Sequence, residues 1–152
     1  MKSWLLFVAG AVLALAAPNG GLKEVHNVYL LPMSGGLDQL LAERLTTGAV
    51  FQVVTDPMKA DTVFTERIGA SFEEALTELY DTKSKDQKEK DSSYTRPTMK
   101  PLGRGKGSVF LVDRKTRAVI WSSYEKPSGR ASDPHSLAVR IVAKIEKDLK
   151  AK

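Results

Sequence analysis

Met33-Ser34-Gly35-Gly36 stands where an apolar, strand-like stretch gives way to a helical pattern. A serine at a strand-to-helix turn is the arrangement that exposes a hydroxyl nucleophile, as in the G-x-S-x-G elbow. Ser34 is nearest to that geometry, yet a helix N-cap accounts for it without any chemistry. Ser122 and Ser123 fall inside a strand pattern and do not meet the requirement. Glu73, Glu74 and Glu78 line one predicted helix. General acid–base work needs two carboxylates converging across a cleft. Neighbouring turns of one helix face make only a solvated surface. The glycine cluster Gly103-Arg104-Gly105-Lys106-Gly107-Ser108 could hold an anion through backbone N–H groups. It lacks the GxxxxGK[ST] spacing and leads into a strand rather than a helix N-terminus. Flexible joints beside a strand are the simpler reading.

The chain holds no cysteine and only two histidines, His26 and His135. A thiol nucleophile, an iron–sulfur cluster, a cysteine-ligated zinc site and a disulfide framework are excluded. So are an HExxH pair, a three-histidine site and a diacylglyceryl anchor. Both histidines read as surface residues. No cofactor, metal site or catalytic residue is assigned. Trp121 reads as a core or sheet-packing aromatic.

Of 23 basic and 18 acidic residues, the stretch 81–106 holds eight and four, so nearly all of the net charge of +5 sits there. The candidate partner contacts are Lys83, Lys85, Lys88, Lys90, Tyr94, Arg96, Lys100, Arg104 and Lys106. Their field would attract an anionic surface in a salt-sensitive way. Asp81, Asp86, Glu89 and Asp91 dilute that field. One aromatic, Tyr94, does not make the stacking groove of a nucleic-acid binder. Val, Ile, Leu and Phe are absent from 81–101, so the stretch is expected to be a mobile insertion.

The elements that would position these residues follow from periodicity. Val28 to Leu31 is a strand stopped by Pro32. Leu37, Leu40, Leu41 and Leu45 recur on one helical face, with Ser34 as cap and Asp38 in the first turn. Ala49 to Thr55 and Asp61 to Glu66 are strands, with Val63 and Phe64 on opposite faces. Pro57 starts a short helical turn after Asp56. Ser71 and Glu74 suggest a capping box for a helix carrying Phe72, Ala75, Leu76 and Leu79. Ser108 to Asp113 and Ala118 to Tyr124 form a hairpin around Arg114 to Arg117, with Val109, Leu111, Val119 and Trp121 sharing faces. His135 to Lys150 is the last helix, capped by Ser132 or Asp133, with Pro134 at its first position. The order is β-α-β-β-α-β-β-α. The expected fold is α+β: a two-layer sandwich of a mixed sheet with helices on one face. Thr62, Ser122 and Gln52 are candidates for the open face.

Lys2 followed by the apolar run Trp4 to Ala17 and the small-x-small site Ala14-Leu15-Ala16 reads as a signal peptide over 1–16. The run is shorter than the roughly 20 residues that span a bilayer, so an uncleaved anchor is the second reading. A flexible mature N-terminus over 17–26 and a single domain over 27–150 follow. The expected location is periplasmic or extracellular, and no transmembrane segment is expected in the mature chain.

Val28 to Pro32 with the helix that follows, Phe51-Gln52-Val53-Val54 with Ala60-Asp61-Thr62-Val63, and the hairpin Phe110-Leu111-Val112-Asp113 with Ala118-Val119-Ile120-Trp121 resemble an arrangement found in bacterial envelope proteins. It is similar to the small periplasmic domains grouped around the TolB N-terminal domain and to the curli-secretion lipoprotein family. The resemblance implies export, an α+β fold and a role in binding or assembly of another envelope protein rather than catalysis. The chain departs from those families in lacking the lipoprotein cysteine, the longer membrane-inserting segments of the curli pore and a following propeller. The alternatives are a small periplasmic hydrolase and a surface protein held to anionic envelope components by the basic stretch. Nucleic acid is not an expected partner.

Overall fold

A computed structural model describes residues 21–86, 107–126 and 133–151, with backbone alone over 81–86. Among them lie five strands: β1 (Asn27–Leu30), β2 (Gln52–Val53), β3 (Thr62–Thr65), β4 (Ser108–Asp113) and β5 (Val119–Tyr124). The three α-helices are α1 (Leu37–Thr47), α2 (Ala70–Asp86) and α3 (Pro134–Lys150). The fold is α+β, in the element order read from the sequence. The sheet is open and mixed, in the order β2-β1-β3-β4-β5. β1 runs parallel to β2 and β3, and the β3–β4 and β4–β5 pairs are antiparallel.

The helices do not share one face. Leu41 and Leu45 of α1 and Ile141 and Ile145 of α3 pack with Val28, Phe64, Leu111 and Trp121 in one core. Phe72, Leu76 and Leu79 of α2 pack with Leu31, Val63 and Val112 in another. Alternation along β3 sends Phe64 to the first core and Val63 to the second, so the split read from the sequence holds. Because both residues are apolar and buried, both faces of the sheet centre need covering. The expectation of helices on one face is corrected accordingly: α2 covers the second face. Thr62 is buried rather than on an open face, whereas Gln52 and Ser122 are exposed. Tyr29, beside Tyr80 on the α2 side, has its hydroxyl pKa raised, first by burial and then by Tyr80 and Asp38.

Several boundaries differ for local reasons. Gly21–Glu24 form a 3-10 turn, and Leu22 and Val25 are buried in the first core. Residues 21–26 are therefore part of the domain, not a flexible lead-in. β2 is only two residues long because α1 unwinds through Gly48–Val50. Their amides bond back to Arg44, Thr46 and Leu45, and Ala49 takes a φ of 50°. Val119 is exposed because a bulge shifts the β4–β5 register after Leu111. Ser71 lies inside α2, whose first turn bonds instead to the carbonyl of Gly69. α2 runs on to Asp86, so 81–86 is helical; the rest of the stretch expected to be mobile lies outside the described residues. Asp133, not Ser132, caps α3 by accepting from the amides of His135 and Ser136, with Pro134 at the first position. The backbone amide of Ser136 is the first cause of a lowered Asp133 pKa.

Candidate functional site

The chain leaves β1 toward α1 on one face and leaves its parallel neighbour β3 toward α2 on the other. In open sheets with parallel strands, such a divergence at the carboxyl ends leaves a crevice where ligands bind. Here Pro32 ends β1, and the next residues fold into a 3-10 turn, Ser34–Gly36, before α1 begins. Gly35 and Gly36 both adopt left-handed conformations, with φ of 66° and 73°. A side chain at Gly35 would also meet Pro134 Cγ at 3.0 Å. The glycines thus let the turn lie against the first turn of α3.

Glu66, the residue after β3, reaches into this turn. Its Oε2 accepts from the Ser34 amide at 3.1 Å, and its Oε1 accepts from the Ser34 hydroxyl at 2.9 Å. Glu66 is only 4% exposed. It shares its strand face with Thr62 and Phe64, so alternation carries it inward. Asp38 Oδ1 accepts from the Met33 amide at 3.1 Å, tying α1 back onto the same turn. After Glu66 the chain is shaped by Thr65, whose Oγ1 donates to the Arg67 carbonyl at 2.8 Å and accepts from the Arg67 amide at 3.2 Å.

Ser34, Gly35 and Glu66 line a crevice of about 180 Å³, closed by Ser108 at the start of β4 and by Pro134 and Leu137 of α3. Leu37 and Gly107 complete its wall. A larger trough of about 360 Å³ runs between α1 and α3 past Glu43, Arg44 and Glu146. It holds no buried charge, which makes the smaller crevice the better candidate.

Of the residues whose type and position in the sequence suggested catalysis, Ser34 alone reaches this crevice. It is not a helix cap: Gly36 holds the N-cap position of α1, with no side-chain cap bond. Two left-handed glycines add a turn between Ser34 and the helix and aim its hydroxyl at Glu66 instead. Glu73, Glu74 and Glu78 lie exposed on α2, where Glu73 pairs with Arg117 at 3.3 Å. His26 and His135 are both exposed; His26 Nδ1 lies 2.8 Å from the Glu24 carbonyl. Arg44 Nη2 lies 3.0 Å from His135 Nε2, where the guanidinium can only donate. Trp121 is a core residue, 6% exposed. Its ring meets Phe64 edge-on at 6.2 Å, and its Nε1 donates to Asp148 Oδ2 at 2.8 Å.

Lys83 and Lys85 lie on the backbone of α2, with side chains outside the described residues. Lys88, Lys90, Tyr94, Arg96, Lys100, Arg104 and Lys106 lie wholly outside them. Of the glycine cluster, Gly107 and Ser108 are described; Gly107 has a φ of 86° at the crevice edge. Sequence reasoning missed Glu66. The available signal was its parity with Phe64 in DTVFTE, which puts a carboxylate on a buried face. No group of three or more potential metal ligands occurs among the described residues. No helix among them is long and apolar enough to cross a membrane. No protein-family model, no curated protein and no solved structure matches the chain.

Proposed function

We propose that this chain is an exported, non-catalytic binding domain of the bacterial envelope that takes its ligand in the crevice beside Glu66. One observation carries the reading: both donors of Ser34, amide and hydroxyl, are received by the same buried carboxylate. A nucleophilic serine needs a base free to take its proton and turn it over to a leaving group. A carboxylate gripping the same residue's amide is instead a brace for the β1–α1 turn. The brace fixes the crevice before a ligand arrives, which lowers the ordering cost of binding.

Export rests on Lys2, the apolar run Trp4 to Ala17 and the Ala14-Leu15-Ala16 site. The likeness in arrangement to TolB-type and curli-secretion domains supports the envelope setting. The basic residues from Lys88 to Lys106 add long-range attraction toward anionic envelope components. The 2.9 Å Ser34–Glu66 contact also favours a second reading, a small hydrolase built on Ser34.

Affinity capture from an envelope fraction tests the proposal, using the processed protein and a crevice-filling Ser108→Phe variant. A component captured by the parent and lost in the variant is the expected result. Hydrolysis of an ester or peptide panel by the parent, abolished in Ser34→Ala while the variant stays folded, would favour the hydrolase.

A further inference from the structure

Glu66 carries a negative charge almost wholly out of water. Among the described residues its hydrogen-bond partners are the amide and hydroxyl of Ser34, and no ion pair reaches it. An ionised carboxylate offers about four acceptor sites, of which these neutral donors use two. A buried charge is costly unless it is paired with an opposite charge as well as hydrogen-bonded. Glu66 lines the crevice, and its hydrogen bonds to Ser34 leave acceptor capacity unused.

The rest of the crevice has a matching division of character. Leu37, Pro134 and Leu137 supply apolar walls, Ser34 holds its hydroxyl on the charge, and Ser108 also lines the crevice. At about 180 Å³ it is smaller than the roughly 300–1,000 Å³ of sites that enclose drug-sized ligands. That volume suits a single head group on a short stem.

We infer that the crevice binds a protonated amine or guanidinium carried on a short alkyl stem. The cationic head pairs with Glu66, and the methylenes lie against Leu37, Pro134 and Leu137. This deepens the binding-domain reading and rests on it. A lysine or arginine side chain of a partner protein and a free alkylamine present the same chemistry.

Amide-resolved NMR titration of the processed protein tests the assignment, with n-butylammonium as probe and 1-butanol as the uncharged control. Saturable shifts are expected at Ser34, Gly35, Ser108 and Leu137 with butylammonium, with at least tenfold weaker binding of butanol. Glu66→Gln, which keeps an acceptor for Ser34, should weaken butylammonium at least tenfold while unfolding remains cooperative. If that variant does not fold, the charged-versus-uncharged comparison on the parent decides alone. N-acetyl-lysinamide and N-acetyl-argininamide then distinguish the sources. Tighter binding of these amides than of butylammonium marks a protein side chain, and the reverse order marks a free amine. Equal binding of butanol and butylammonium, or shifts confined to other surfaces, would overturn the cation assignment. If capture of an envelope component is lost in Ser108→Phe but unaffected by Glu66→Gln or by added butylammonium, the binding domain stands and the cation falls. If capture is unaffected by Ser108→Phe, the crevice itself is not the binding site.

Discussion

The carboxylate of Glu66 holds the amide and the hydroxyl of Ser34, at 3.1 and 2.9 Å, across 32 residues of chain. The contact joins the ends of two parallel strands just where their chains part toward opposite faces of the sheet. It therefore links fold and site: the same bonds that fix the β1–α1 turn shape one wall of the crevice.

Removing the Ser34 hydroxyl takes one donor from a buried charge. Hydrogen bonds to charged groups contribute about 1.5–3 kcal/mol, so Ser34→Ala should lose that order of stability in urea unfolding. A double cycle with Glu66→Gln should show coupling between the two positions. Additive losses in that cycle would mean the pair does not act as a brace.

Gly35 and Gly36 separate two causes of strain. Both have positive φ, which costs an L-residue about 1–2 kcal/mol. Only at Gly35 does a new Cβ also meet another side chain, Pro134 Cγ at 3.0 Å; Gly36 has nothing within 4 Å. Gly35→Ala should therefore destabilise the fold more than Gly36→Ala. Equal losses by thermal melting would show that the turn does not press on α3.

These positions also show how far the sequence is legible. Alternation separates Val63 from Phe64, and Pro134 with Asp133 marks the start of α3, because those signals are local. The expected Ser34 cap fails because successive left-handed glycines move the helix start in a way composition does not fix. Glu66 does not stand out because a glutamate ending a strand is usually solvated. Parity with Phe64 places it on the buried face, and the β1 turn, whose Ser34 bonds to it, meets it there, which is a tertiary fact. The placement of α2 on the second face depends on pairing between strands far apart in sequence.

Trp121→Ala should cost about 3–5 kcal/mol, as for a large aromatic removed from a core. Trp121→Phe keeps a ring against Phe64 but loses the bond to Asp148, and should cost less. The two variants compared by denaturant unfolding check this. A loss below about 1 kcal/mol in the alanine variant would contradict the packing described.

Asp113 gives a pH test. Its carboxyl is held below the usual 3.8, first by the backbone amide of Thr116, with the Thr116 hydroxyl and the Lys115 amide also donating. A depressed carboxylate pKa stabilises the fold at pH values above its unfolded value. The contribution disappears as pH falls through the folded value. The melting-temperature gap between the parent and Asp113→Asn should be open at neutral pH and close below pH 3.8. A gap independent of pH would place the effect elsewhere.

The most direct test of the crevice is intermolecular proton NMR of the protein with n-butylammonium. Nuclear Overhauser contacts are predicted from the probe's methylene protons to the methyl groups of Leu37 and Leu137. Those contacts should vanish in Glu66→Gln at the same probe concentration. Contacts that persist unchanged in Glu66→Gln, or that appear only at the trough between α1 and α3, would contradict the claim that Glu66 makes this crevice a cation-binding site.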